Sequence, residues 1–307
     1  MCYSAQIRAD YKRFFHLFGG VLSLREFVKL YGKRKDDPKI SIPKAVDAAF
    51  GVPQSDEERE IKWMIDTFNT AQASGLEQDL FKQRKRLADA QRTLQTKVTK
   101  KANEDVRIAT DKIARDRAKL ADLSRTDLLP RDARIFPGSY APVMIWEDGR
   151  FVVVPMRYQC RPEGKPAFYD TKLPGLYNAR RDNLERFWKQ QFGHTHAIMA
   201  ADLFYEHVMR DGKDIVLEFK PQHLPDMLVA CLWSRWTGPD GEELLSFAAI
   251  TDEPPEEVAA TGHDRCIVPI KPENVEAWLR PDPADLAAQF AILDDRERPY
   301  YEHRLVA

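Results

Sequence analysis

The sequence predicts an α+β protein, a β-rich core interrupted by an antiparallel helical hairpin. Two observations carry this. No proline lies between residues 54 and 129, and apolar residues there recur only as a narrow helical stripe. Residues 130–307 instead hold short runs rich in Val, Ile, Phe and Trp, divided by turn-forming residues. The division expected is 1–54 and 130–307 as one core, with 55–129 as a coiled-coil insertion.

Within residues 1–54, Ser23-Leu24-Arg25-Glu26 reads as a capping box. Leu24, Phe27, Val28 and Tyr31 follow at helical spacing. A second box, Ser55-Asp56-Glu57-Glu58, opens the next helix, with Ile61, Met64, Ile65 and Phe68 on one face. The stripe then thins to Leu80, Leu87, Leu94 and Val98, and resumes as Val106, Ala109, Ile113 and Leu120. Asn103 before Glu104 and Asp105 looks like a helix start, which puts a turn near 99–103. Strands are expected over 151–158, 197–208, 215–219, 227–236, 244–251 and 266–270. Gly238-Pro239-Asp240-Gly241 is a turn between two of them. Helices are expected over 273–279 and 282–293.

The chain has 307 residues, 47 Lys and Arg against 48 Asp and Glu, and a net charge of -1. A nucleic-acid site must therefore be a local patch and not a global field. One such patch lies between residues 81 and 120, with 13 Lys and Arg against 5 Asp and Glu. It reads either as an arm for nucleic acid or a protein partner, or as a solvated surface. Cysteines at 2, 160, 231 and 266 show no CxxC spacing. They predict neither a disulfide framework nor a zinc site, and they fit a reducing, cytoplasmic compartment. No signal peptide or membrane span is expected, and no GxGxxG or P-loop points to a nucleotide cofactor. His194 and His196 could form a metal pair, but no third ligand accompanies them, so no metal is expected.

Cys2 follows Met1 directly. With Met1 removed, it would carry an α-amine of pKa about 7.7–8.0 and a thiol of about 8.5 on adjacent carbons. The amine condenses with an aldehyde to an imine, and the thiol closes on the imine carbon to a thiazolidine. No internal cysteine can do this. Three further stretches suggest polar chemistry. Asn178-Ala179-Arg180-Arg181-Asp182 follows a turn-prone Pro174-Gly175. Phe204-Tyr205-Glu206-His207 places a carboxylate on an apolar strand. His263-Asp264-Arg265 lies just before the strand at Cys266.

These pieces, in this order, resemble the SOS-response-associated peptidase (SRAP) family, whose members crosslink to abasic sites in single-stranded DNA. Its pattern opens with Met-Cys and continues through Arg-Trp-Gly-Leu-Ile-Pro, Asn-Ala-Arg-x-Glu, Phe-Tyr-Glu-Trp and His-Asp-Arg. Arg157-Tyr158-Gln159-Cys160-Arg161-Pro162 matches the second motif loosely, with Tyr158 and Gln159 in place of Trp and Gly. Asp182 replaces the Glu of the third, and Tyr3-Ser4 stand where Gly-Arg is common. The resemblance covers roughly 1–50 and 133–300, and the helical segment looks like an insertion that compact members lack.

The resemblance implies Cys2, Asn178, Glu206 and His263 as the catalytic set. Glu206 would shuttle protons during imine formation, His263 would assist at the sugar hydroxyl, and Asn178 would orient the amine and thiol. Arg180 and Arg265 would neutralise phosphates. Tyr158, together with Arg157 or Arg161, would stack on a base, so all three are expected DNA contacts. Lyase cleavage and self-directed peptidase activity are further expectations. Two rivals stay open: a cysteine amidohydrolase that needs no DNA, and a non-enzymatic scaffold whose hairpin binds a partner.

Overall fold

A computed structural model describes residues 4–224 and 226–306. The expected Cys2 nucleophile lies outside the described residues. The strands are β1 (Ser4–Ile7), β2 (Val21–Leu22), β3 (Arg134–Ile135), β4 (Tyr140–Glu147), β5 (Arg150–Tyr158), β6 (Asn178–Arg180) and β7 (His196–Arg210). They continue with β8 (Lys213–Pro221), β9 (Met227–Thr237), β10 (Glu243–Asp252), β11 (Cys266–Ile267), β12 (Pro269–Ile270) and β13 (Tyr301–Leu305). The helices are α1 (Tyr11–His16), α2 (Leu24–Asp36), α3 (Lys44–Ala48), α4 (Asp56–Thr96) and α5 (Lys100–Ser124). After them come α6 (Tyr169–Lys172), α7 (Glu256–Ala259), α8 (Val275–Leu279) and α9 (Leu286–Asp294). The class is α+β, as the sequence predicts.

The chain forms two units, residues 1–58 with 129–307, and residues 59–128. In the first, all strands join one mixed sheet. Its path closes on itself, because β7 pairs with both β4 and β9 while β4, β5, β10 and β9 follow one another. Closure leaves few unpaired edges. The first half of β7 is buried without alternation, as expected where a strand is covered on both faces. Its second half leaves the ring and pairs with β1 on one side and β8 on the other. Two tight turns shape this sheet. Asp148-Gly149 and Asp211-Gly212 each have positive φ at both residues, the geometry that two-residue hairpins between right-twisted strands need.

In the second unit, α4 continues without a break through Gly75. Thr99 caps α5 through its hydroxyl, which accepts from the Ala102 N–H at 3.1 Å. The helix thus starts earlier than Asn103 suggests. Ala90, Ala102 and Ala109 are buried, and Arg86 pairs with Asp105 at 2.5 Å between the two helices. No helix of the described residues is long and apolar enough to cross a membrane.

Several local expectations shift. Ser23 precedes α2, but its side chain makes no cap hydrogen bond, and Glu26 pairs with Lys29 instead. Ser55 does accept from the Glu58 N–H, while the Glu58 carboxylate turns to Lys12 and the Gln54 N–H. The expected strand 266–270 divides at Val268, because β11 pairs with β10 and β12 with β9. The segment crosses from one strand to its neighbour, and Val268 bonds to both. The 273–279 helix opens as a 3-10 turn, and α9 starts at Leu286 where Asp285 caps it.

Candidate functional site

Glu206 lies in the second half of β7, with β1 on one flank and β8 on the other. Ser4 pairs with Tyr205, and Leu217 with Glu206. Glu206 is fully buried, which is costly for a carboxylate without a partner. Its Oε2 lies 3.0 Å from Nε2 of the buried His263. The Nδ1 of His263 is 2.9 Å from the Arg265 carbonyl oxygen. A carbonyl only accepts, so Nδ1 carries a hydrogen and Nε2 faces Glu206. A hydrogen bond between Nε2 and Oε2 then needs one proton, held by either partner. At 3.0 Å the two atoms stand within the range that proton transfer requires.

Asn178 begins β6, which pairs in parallel with β10. It is 6% exposed, yet neither atom of its side-chain amide has a hydrogen-bond partner among the described residues. A buried amide left so is expensive, and its donors and acceptor are available to a group that enters. Thr251 on β10 lies opposite Arg180 of β6 and Ile267 of β11, so it connects the Asn178 strand to the strand that follows His263. Its buried hydroxyl also lacks a partner among the described residues. Nothing in the sequence marks Thr251, a threonine inside an apolar strand. Only the shared pairing of β10 with β6 and β11 reveals it.

The cations divide into two groups. Arg180 is about half exposed and held by Asp182 at 2.8 Å. The Asp182 hydrogen bond and charge raise its pKa, and Asp264 adds to the effect. Arg265 pairs with Asp264 at 2.9 Å, and that bond holds the Asp264 carboxyl down at about 2. Both arginines thus border the segment that carries His263. Arg157 and Arg161 instead converge on Asp170, at 2.7 and 2.5 Å. Burial pulls the Asp170 carboxyl up, but the Arg161 and Arg157 hydrogen bonds keep it below its ordinary range. Arg161 also lies 4.2 Å over the Trp236 ring. These two arginines brace the loop after β5.

The expectation that Tyr158 stacks on a base is corrected. Its ring is 1% exposed and packs against Tyr177 and Phe247, at centroid distances of 5.6 and 5.3 Å. An aromatic at the end of a strand reads equally as a stacking platform or as core, and here the core has it. Gln159 accounts for the glycine of the family pattern at this place. Its φ is +105°, a conformation suited to glycine. The Gln159 Nε2 donates to the Asp170 carbonyl at 2.9 Å, which ties the strained residue to the same loop.

His194 and His196 form no metal pair. His196 is buried, and its Nε2 accepts from the Gly193 N–H at 2.8 Å, so Nδ1–H donates to the Trp278 carbonyl at 2.9 Å. Both ring nitrogens are thus occupied, and burial pushes the pKa down to about 3. Among the described residues no group of His, Cys, Asp and Glu could hold a metal ion. Cys160, Cys231 and Cys266 are buried, and desolvation raises all three thiols, Cys160 to about 12.

The chain is 30% identical over 113 residues to the abasic site processing protein YoqW of Bacillus subtilis (strain 168). The protein of that name from Bacillus phage SPbeta matches equally. Each alignment covers 36% of this chain, and the chain spans about half the length of these curated relatives. Solved structures from Bordetella bronchiseptica and Bacteroides thetaiotaomicron overlay with TM-scores of 0.47 each, at 19% and 16% identity. Each covers 57% of this chain, and 87% and 78% of the respective structure. The profile of the family described as SOS response associated peptidase (SRAP) matches residues 91–306, a span that contains Asn178, Arg180, Glu206, His263 and Arg265 and leaves Cys2 outside. With more than half of the chain matched, the protein belongs to the SOS response associated peptidase (SRAP) family.

Proposed function

We propose that this protein acts in DNA damage by forming a covalent adduct between Cys2 and abasic sites in single-stranded DNA, in the cytoplasm. The observation that carries the reading is the buried Glu206–His263 contact at 3.0 Å. The name of the Bacillus relatives supports the substrate. Chain length supports the nucleophile. Cys2 precedes Ser4 by two residues, a reach of at most about 7 Å, and Ser4 lies opposite Tyr205, next to Glu206.

The chemistry follows from the groups. An abasic sugar opens to an aldehyde. The Cys2 amine adds to it, and loss of water gives an imine. Glu206 moves protons in this addition and dehydration, with His263 as its proton partner. The Cys2 thiol then adds across the imine C=N, sulfur to carbon and proton to nitrogen, to close the thiazolidine. The unpartnered amide of Asn178 orients the nucleophile, and Arg180 and Arg265 neutralise flanking phosphates. If the imine loses the 3′ phosphate first, β-elimination gives lyase cleavage, and thiol closure prevents that. Reversal of the adduct, or hydrolysis at the protein's own N-terminus, would draw on the same acid–base pair.

The test is to incubate the purified protein with single-stranded DNA that carries an abasic site. The expected product survives denaturation and has the summed mass of protein and DNA less one water. No adduct, together with turnover of an amide in the absence of DNA, would replace this reading with the amidohydrolase.

A further inference from the structure

We propose that the bend of the helical hairpin is a second docking surface for single-stranded DNA, gripped through phosphates by its lysines and arginines and through a base by Phe81. The inference rests on DNA being the substrate, and undamaged DNA tests it separately from the adduct chemistry.

The first ground is charge segregation. Residues 81–101, which surround the bend, hold eight Lys and Arg against the single acid Asp89. Residues 59–80 hold two against four acids, and residues 102–128 hold six against six. A surface charged only for solubility intersperses its signs. Here the hairpin is balanced along its body and cationic at one end. Self-repulsion makes that placement unfavourable unless an anion relieves it. The first turn of α5 adds to this, since it carries Lys100 and Lys101 and no acid, the wrong sign for the helix dipole.

The second ground is that most of these cations are uncommitted. Arg86 pairs with Asp105, and Arg92 with Asp89. Lys82, Arg84, Lys85, Lys97, Lys100 and Lys101 make no ion pair among the described residues, and all six are exposed.

The third ground selects a single strand over a duplex. On α4, Gln83 and Ala90 turn inward and are buried, while Phe81, Arg84, Lys85, Ala88 and Arg92 are exposed. Their spacing of three and four residues puts these five on one outward face. Phe81 is 74% exposed, with Arg84 and Lys85 one turn further along. An aromatic set among cations offers a ring to an unpaired base as well as charge to its backbone. A duplex, whose bases are already stacked, would use only the charge.

The test uses the full chain and a dye-labelled, undamaged oligonucleotide, single-stranded and as duplex, read by fluorescence anisotropy over a salt series. Phe81→Ala is expected to weaken single-strand binding about tenfold and to leave duplex binding unchanged. Phe81→Leu keeps an apolar side chain without a ring, and should weaken it similarly. The triple variant Lys97→Gln, Lys100→Gln, Lys101→Gln should lower the slope of log affinity against log salt by up to about 2, at about 0.7 per lost single-strand phosphate contact. Circular dichroism should show wild-type helix in every variant, as expected for exposed positions. At saturating abasic DNA the adduct yield should match wild type. Wild-type single-strand affinity and salt slope in these variants would overturn the proposal, as would full binding by Phe81→Leu or a loss confined to duplex.

Discussion

Ser4 pairs with Tyr205 across β1 and β7, so β1 begins beside the residue that precedes the buried Glu206. Arg134 reinforces the junction, since its Nε and Nη2 donate to the Ser4 hydroxyl at 3.1 and 2.9 Å while its guanidinium lies 3.6 Å over the Tyr205 ring. The proposed nucleophile, Cys2, stands two residues before Ser4 in the sequence. Intact mass should show Met1 removed from active protein. Cys2→Ala should give no denaturation-resistant adduct, and borohydride should still trap an imine if the residual amine reacts. A stable adduct from Cys2→Ala would end the thiazolidine assignment.

Glu206→Gln and His263→Ala should each slow adduct formation by about 10²–10⁴, with little change in DNA affinity. Each would remove a proton carrier and leave Arg180 and Arg265 in place. Single-turnover rates at saturating DNA measure this, and a wild-type rate for Glu206→Gln would remove it from the mechanism.

Thiol labelling should separate Cys2 from the others. Cys160, Cys231 and Cys266 are buried, and desolvation raises each thiol. Little reactive thiolate exists at such sites. Iodoacetamide at mild alkaline pH should therefore modify the native protein at Cys2 alone, and all four cysteines after denaturation. Rapid native labelling at Cys160 would show that the loop after β5 opens.

Glu206 and His263 stand out in the sequence through motifs that resemble the SRAP pattern, and the structure brings them to within 3.0 Å. Asn178 stands out through its own motif, after the turn-prone Pro174-Gly175. Thr251 does not, because its significance comes only from the two strands that flank β10. Strand β4 escaped notice because Pro142 interrupts its pattern. The structure places Pro142 opposite Pro155 of β5, so the missing donors fall at matched positions. Arg157 and Arg161 read as DNA-stacking companions of Tyr158 from their motif, and the partner that holds both, Asp170, sits in a different segment.

His196 predicts a pH dependence. Burial lowers its pKa from 6.5 to about 3. As pH falls, the unfolded chain takes up the proton before the folded one. The contribution to stability is full above 6.5 and declines as pH drops toward 3, by about 1.4 kcal/mol per pH unit at most. Denaturant midpoints over this range should fall less steeply for His196→Gln than for wild type, and parallel profiles would contradict the assignment.

Phe204 tests the packing behind the site. It is fully buried, lies 5.1 Å from the Phe219 ring and meets Tyr301 edge-on. Phe204→Ala should cost about 3–5 kcal/mol, read as a lower denaturant midpoint. A loss under about 1 kcal/mol would mean that the neighbours collapse into the gap.

The pairing of β1 also sets an order of events during synthesis. Ala5 pairs with Ile135 and Phe204, so neither neighbour of β1 has left the ribosome when β1 emerges. The intervening hairpin is built from contacts between helices close in sequence, and such contacts form early. β1 therefore stays unpaired while the whole hairpin is made, until Arg134 and Ile135 follow. Its two neighbours then arrive in turn, β3 and β7, well before the last strand, β13, which pairs with β8 and never touches this edge.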